Sequence, residues 1–247
     1  MSRWRASGIH LLISAGIAAL GLTLMLVLWY PGPLFQAAGG NELLFILTGV
    51  DVVIGPAITL AVFKAGKRGM KFDLAVIGLL QIAALVYGGY VIAASRPAFI
   101  VFVKDRFEVP AAIDLQAEDL ANAKYPQFSR VPWTGPKYAV LDFPTDPGER
   151  SKILQLELNG VEVHRFPELY VPYEQRVQEV IEKSLPISRV RETEPQHAKI
   201  IDDYLRREGI PESSVRYVLL KAFRAFVAVL IDPNTGHPVK MLIVEKI

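Results

Sequence analysis

The sequence contains no cysteine, and its four histidines, at positions 10, 164, 197 and 237, are scattered. Without cysteine the chain forms no disulfide, no thiolate metal site and no cysteine nucleophile. The histidines lack metal-ligand spacing, and neither a phosphate-binding loop nor a serine-hydrolase motif is present. We therefore predict no catalytic residue, no metal, no cofactor and no enzyme. A membrane enzyme that uses a lone carboxylate is the alternative left open by this search.

Charge is scarce in the first 95 residues, which hold six of the 27 basic and three of the 25 acidic residues. Residues 96–247 carry the remainder and are nearly neutral overall. The sequence pI of 8.7 therefore reflects the N-terminal part and does not indicate a nucleic-acid partner. This contrast predicts a membrane domain over 1–95 and a soluble domain over 96–247, which is long enough to bury its own core.

Three long apolar runs cover 8–30, 43–63 and 74–95, and only Asp51 interrupts them with a charge. A helix needs about 20 apolar residues to span a bilayer. The runs therefore predict a membrane protein with three N-terminal transmembrane helices in contact with lipid. Trp29 and Tyr30 are typical of the aromatic belt at a membrane interface.

The loops predict the orientation of these helices. The loop 31–42 has no lysine or arginine, whereas the next loop carries Lys64, Lys67, Arg68 and Lys71. The positive-inside rule then places the N-terminus and this basic loop in the cytoplasm. Residues 96–247 would lie outside, in the periplasm of a bacterium with two membranes. The basic loop would contact anionic lipid.

The second apolar run contains Asp51 followed by Gly55-Pro56. A carboxylate in hydrocarbon costs about 2.5–3.5 kcal/mol, and proline removes a backbone donor and weakens the helix. Asp51 could bond within the bundle to Thr48, Gln81 or Tyr87. It could instead contact a partner helix, or serve as a proton or ion site.

The soluble domain alternates strand-like and helix-like patterns and is predicted to be α+β, with an antiparallel sheet and several helices. The stretches expected to form strands are 98–104, 137–143, 215–221, 223–231 and 239–244. Residues 232–236 would join the last two as a hairpin, and 105–107 would continue the first.

Helix signals occur between these stretches. Asp114 could cap a helix through Ala123, and Asp146 caps another that ends near Gly160. Apolar residues recur at helical spacing over 173–181, before Pro186, and again over 200–205, with Gly209 as the C-cap.

A combination of short motifs spans the second apolar run and the first strand. It reads Val50-Asp51 and Gly55-Pro56, then Asp73-Leu-Ala-Val-Ile77 with Gln81, then Arg96-Pro97 and Asp105-Arg106-Phe107. This combination resembles the type IV pilin accessory proteins, the TfpX/TfpZ-like group. The resemblance covers roughly the first 110 residues.

The resemblance implies an inner-membrane accessory factor for type IV pilus biogenesis. Such a factor promotes pilin-specific pilus assembly by binding the pilin or the assembly machine, and the basic loop could contact the assembly platform or ATPase. The positions that match the pattern, and that we take as candidate partner-binding residues, are Asp51, Gly55, Pro56, Gln81, Arg96, Asp105 and Arg106; Asp73 also matches. The alternative is a membrane-anchored periplasmic sensor or regulator that acts through such a partner.

Overall fold

The computed structural model describes residues 2–64 and 67–247, which form two compact units. The first unit consists of residues up to 28 together with 39–95. The second consists of 29–38 together with 96–247. The short segment 29–38 therefore leaves the apolar helices and belongs to the second unit.

All the regular secondary structure in the described residues of the first unit is helical. Its helices are α1 (Arg3–Leu28), α3 (Gly40–Thr48), a π-helix (Gly49–Ile54), α4 (Gly55–Val62) and α5 (Met70–Ser95). Helix α1 packs against α4 and the π-helix, and α5 packs against α3, the π-helix and α4.

Two of the three predicted spans are continuous helices. Both α1 and α5 have 26 residues and are apolar enough to cross a membrane, with a mean hydropathy of 2.5 and 2.0 in their most apolar windows. Only 11% of each window is buried, so apolar side chains such as Leu12 and Leu79 face outward. The middle run is also helical, but the π-helix divides it, and its crossing stays a prediction.

The second unit is built on a seven-stranded sheet in the described part of the chain. Its strands are β1 (Phe99–Val103), β2 (Arg106–Glu108), β3 (Lys137–Leu141), β4 (Tyr170–Pro172), β5 (Arg216–Lys221), β6 (Ala225–Ile231) and β7 (Pro238–Lys246). Their order in the sheet is β4-β3-β1-β2-β5-β6-β7. The expected hairpin between β6 and β7 is present.

The sheet is mixed, so the prediction of an antiparallel sheet is wrong. Residues 105–107 do not continue the first strand, because the chain reverses at Lys104, which has a φ of +60°. Phe107 then pairs antiparallel with Phe102. This short hairpin lies in the middle of the sheet, and β3 and β5 join its two outer edges in parallel.

Helices lie between these strands along the chain. They are α6 (Ala117–Ala121), α7 (Pro147–Leu158), α8 (Val177–Lys183), α9 (Ile187–Thr193) and α10 (Pro195–Glu208). Asp146 caps α7 by accepting the Glu149 N–H at 2.9 Å, and Gly209 ends α10 with a φ of +67°. The predicted role of Asp114 is wrong, because its carboxylate accepts the Ala111 N–H beside a 3₁₀ turn and α6 begins later.

The segment 29–38 completes the core of the second unit. It contains a short helix, α2 (Leu34–Ala37), and both Leu34 and Ala37 are buried in the same cluster as Phe102 and Val227. The Arg224 N–H donates to the Ala37 carbonyl at 2.8 Å. The sequence had assigned these residues to the end of a span and a loop, and the structure corrects this because their apolar side chains cover the sheet.

Candidate functional site

Four of the predicted motif residues of the first unit, Asp51, Gly55, Pro56 and Gln81, meet at the π-helix. In the π-helix, the Gly55 N–H donates to the Val50 carbonyl, five residues back. The Asp51 carbonyl thereby loses its α-helical donor, Gly55. Its π-helical donor would be residue 56, and Pro56 has no N–H. The Asp51 carbonyl therefore needs a donor from outside its own helix.

Gln81 on α5 supplies this donor, since its Nε2 lies 3.2 Å from the Asp51 carbonyl oxygen. Gly55 makes the approach possible, because a Cβ at that position would lie 1.9 Å from the same Nε2. The pattern Asp51, Gly55, Pro56 and Gln81 thus forms one construction. Gly55 leaves room for the Gln81 amide. Pro56 leaves the Asp51 carbonyl without a backbone donor, and the Gln81 amide takes the place of that donor.

The carboxyl group of Asp51 is not used by this bond. The side chain is 8% exposed, and among the described residues its Oδ1 has no hydrogen-bond partner. The bond expected within the bundle therefore reaches the backbone of Asp51, through Gln81. A buried polar oxygen without a partner is rare and costly in an apolar environment, so it marks a candidate binding atom.

Polar side chains on α1 extend this site, and the sequence did not single them out. The Ser7 hydroxyl donates to the Pro56 carbonyl at 2.9 Å. His10 Nδ1 lies 2.7 Å from the hydroxyl of Thr59, which is buried. The spacing of Ser7 and His10, three residues apart on one helix face, was the available signal. Polar contacts therefore join both long helices to the interrupted one.

Replacing Gly55 by alanine should push the Gln81 amide away and break its bond to Asp51. Hydrogen bonds between membrane helices average about 0.6 kcal/mol and reach ~1.7 kcal/mol, so we expect a loss of stability in this range. Denaturation in mixed micelles would measure it.

The matched control is Gly49→Ala, because a Cβ at Gly49 meets no atom within 4 Å. Gln81→Ala removes the same bond, so adding Gly55→Ala to it should cost nothing further. Additive losses in the double variant would contradict this account.

Arg96 lies in a different setting, where the chain enters the second unit again after α5. Its guanidinium carbon is 5.6 Å from the ring centroids of both Trp29 and Trp133, and its Nη2 donates to the Pro132 carbonyl at 3.3 Å. Burial lowers the pKa of Arg96, and the nearby Tyr30 partly opposes this shift. Arg96 therefore ties segment 29–38 to the chain after α5.

Asp105 and Arg106 lie at the turn between β1 and β2. Arg106 Nε donates to Asp105 Oδ1 at 3.0 Å, and both side chains are exposed. Beyond them, burial raises the pKa of Glu108, while Lys221 and Arg106 lower it in part. Asp105 and Arg106 therefore form an ion pair with each other at an exposed turn of the second unit.

The basic loop is described only in part, because residues 65–66 lie outside the described residues. Lys67 Nζ contacts Asp73 Oδ2 at 2.5 Å in the first turn of α5. Lys64, Arg68 and Lys71 complete its positive charge. No cluster of three or more histidine, aspartate or glutamate side chains suited to a metal occurs in the described ranges 2–64 and 67–247.

Comparisons with known proteins give the family. A family model described as Fimbrial assembly protein FimB matches residues 1–39. The fimbrial assembly protein of serogroups C1 and C2 from Dichelobacter nodosus is 34% identical over 121 residues, which are 48% of this chain and 92% of that protein. The chain belongs to the fimbrial assembly protein family.

Two further fimbrial assembly proteins of Dichelobacter nodosus extend the similarity into the second unit. Those of serogroups I and E1 are 29% and 27% identical over 187 residues, or 75% of this chain and 72% of each relative. No solved structure matches the chain. These findings confirm the predicted membership in a type IV pilus assembly accessory family.

The residues matched by the fimbrial assembly family model are divided between the two units. Residues 1–39 contain α1, with Ser7 and His10 of the polar site, and the segment that places Leu34 and Ala37 in the core of the second unit. The matched region therefore contributes to both units of this fimbrial assembly protein.

Proposed function

We propose that this protein is an inner-membrane accessory factor of type IV pilus biogenesis that promotes pilin-specific assembly by binding the pilin or the assembly machine. Relatives named fimbrial assembly proteins support the role in assembly. The proposal involves no catalytic step, and its partners are membrane lipid, a type IV pilin and the assembly platform or ATPase.

The division of the chain between the two units supports three membrane crossings. Residues 29–38 and 96–247 fold into one unit, so both lie on one side of a membrane. Residues 39–95 must then cross an even number of times. Because α5 is long enough to cross once, the divided helix from Gly40 to Val62 is the natural second crossing. With the basic loop in the cytoplasm, the second unit is periplasmic.

The unpartnered Oδ1 of Asp51 is the observation on which the binding proposal rests. Next to it, Val53 and Ile54 are 63% and 50% exposed, so apolar surface suited to another membrane helix adjoins the buried carboxyl group. A polar group carried by an incoming helix would supply the missing partner. We therefore propose that the π-helix and its carboxyl group receive the membrane segment of the pilin.

Replacing Asp51 by asparagine should lower the number of surface pili, while the protein still inserts and accumulates. The amide keeps the size of the side chain and removes its charge. Immunoblotting of shed pili and of membrane fractions would measure both quantities. Asp203→Asn, at an exposed position on α10, is the matched control. Normal piliation in the Asp51 variant would contradict the proposed role of this carboxyl group.

Photocrosslinking in cells tests the partner directly. A photoreactive residue at Val53 or Ile54 should crosslink to the membrane segment of the pilin, and the same residue at Leu79, exposed on α5, serves as the control. Crosslinks to a platform protein or ATPase instead would make the protein a regulator of the machine. The absence of any pilus component among the crosslinked products would contradict the proposal.

A further inference from the structure

The chain passes between the apolar helices and the second unit at three junctions. It enters the second unit after α1 at Trp29, leaves it after residue 38 and enters it again at Arg96. Two of these junctions touch, since the Arg96 guanidinium lies over the Trp29 ring. The third is held nearby, because segment 29–38 folds back on itself through the Tyr30–Phe35 ring contact at 5.5 Å. The junctions therefore identify one side of the second unit.

Trp133 is distant in sequence from these junctions but lies against them. Its ring centroid is 6.4 Å from that of Trp29, and its carbonyl accepts the Trp29 indole N–H at 3.1 Å. The same ring lies 5.6 Å from the Arg96 guanidinium. Despite these contacts Trp133 is 75% exposed, so most of its surface points away from the protein.

Phe223 lies beside the remaining junction. It occupies the turn between β5 and β6, where the Arg224 N–H donates to the Ala37 carbonyl. The Arg224 guanidinium lies 4.9 Å from the centroid of the Phe223 ring. Phe223 is 76% exposed. Two large exposed rings from separate parts of the chain thus flank the points where it leaves for the apolar helices.

An arginine guanidinium lies over each of these rings, and a bilayer interface accepts both kinds of group. Aromatic rings are enriched at the level of the lipid headgroups, and arginine pairs with phosphate groups through its planar fork. A protein partner would not explain why the exposed rings gather at the chain junctions. Continuity with the apolar helices does explain it.

We propose that Trp29, Trp133 and Phe223 form an aromatic rim that inserts into the bilayer interface and seats the second unit on the membrane. The rim rests on the membrane embedding in the proposed function and adds a lipid contact made by the folded domain itself. Arg224, which is exposed, would meet the headgroup phosphates beside Phe223, while the buried Arg96 holds Trp29 and Trp133 together.

The absence of cysteine makes a direct test simple, because single-cysteine variants of the full chain can be spin-labelled without other changes. Labels at Thr134→Cys and Phe223→Cys report on the rim. Leu158→Cys, at a residue 79% exposed on α7, is the control for water, and Leu12→Cys on α1, at a residue 74% exposed, is the control for the bilayer. The protein is reconstituted in vesicles of phosphatidylethanolamine and phosphatidylglycerol.

Power saturation compares collisions with oxygen, which enters lipid, and with a nickel chelate, which stays in water. We expect both rim labels to lie between the Leu12 and Leu158 labels in their ratio of oxygen to nickel collisions. Adding Trp133→Ser should shift the label at position 223 towards the value at position 158. Trp133 is largely exposed, so this change should leave the fold intact.

Two results would overturn the rim, and they are distinguishable from failure of the proposed function. If the Leu12 label lies in lipid while the rim labels match the Leu158 label, the rim is wrong and the membrane proposal stands. The rim is also wrong if Trp133→Ser leaves the depth at position 223 unchanged. If the Leu12 label itself reports water, both the membrane embedding and the rim fall.

Discussion

Replacing Leu34 by alanine is expected to lower the free energy of unfolding of the second unit by about 2–5 kcal/mol. Leu34 is 1% exposed and packs in the core cluster with Phe102 and Val227, so truncation leaves a cavity in the middle of the sheet domain. Urea unfolding of the detergent-solubilised chain, followed by near-ultraviolet circular dichroism, would measure the change.

The control for this prediction is Leu158→Ala, the same substitution at a residue that is 79% exposed. Surface changes of this kind are usually within about 0.5 kcal/mol. If Leu34 were only part of a loop between two membrane helices, both variants would behave alike. Equal unfolding free energies would therefore refute the assignment of segment 29–38 to the core.

Replacing Gly236 by alanine should cost about 2–5 kcal/mol, for two separate reasons. Gly236 has a φ of +68°, which strains any residue with a Cβ. The added Cβ would also lie 2.3 Å from Val177 Cγ2 and 3.1 Å from Ile181 Cγ1, both on α8. The hairpin between β6 and β7 would have to move away from this helix.

Gly160→Ala separates the two contributions. Gly160 has a φ of +80°, but a Cβ there would meet no atom within 4 Å. This control should therefore lose only the backbone contribution, about 1–2 kcal/mol. The difference between the variants, measured in the same urea titration, reports the clash with α8. Equal losses would mean that the hairpin does not lie against that helix.

Features coded by neighbouring residues could be predicted from the sequence. The Asp146 cap, the Gly209 C-cap and the hairpin over 232–236 each depend on side chains or glycines within a few positions. Each of these signals is present in the structure where the sequence places it. The apolar runs that became α1 and α5 are equally local in origin.

The topology of the sheet could not be read in this way. The strand β2 has only three residues. The preceding turn depends on Lys104 adopting a left-handed conformation, which is uncommon for lysine and which the neighbouring residues do not predict. The parallel pairing of β1 with β3 joins residues about 38 positions apart, and no local pattern encodes such register.

Hydropathy also could not tell which kind of apolar surroundings segment 29–38 would find. Tyr30, Leu34 and Phe35 are buried, but burial against lipid and burial against a sheet require the same side chains. For the candidate site, the sequence named Asp51 and Gln81 together, yet it suggested a bond to the carboxyl group. The bond goes to the backbone because the Asp51 carbonyl has no donor in its own helix. The Gly55 N–H bonds to Val50, and Pro56 has no N–H.

The docking of segment 29–38 against β6 has a consequence for how the protein is made. β6 is synthesised about 190 residues after this segment, a delay of roughly 10–40 s at ~5–20 residues per second. During that interval Leu34 and Phe35 have left the ribosome without the strands that will cover them. The segment that is made first therefore packs against strands that are made late, so the core of the second unit can be completed only after most of the chain has been synthesised.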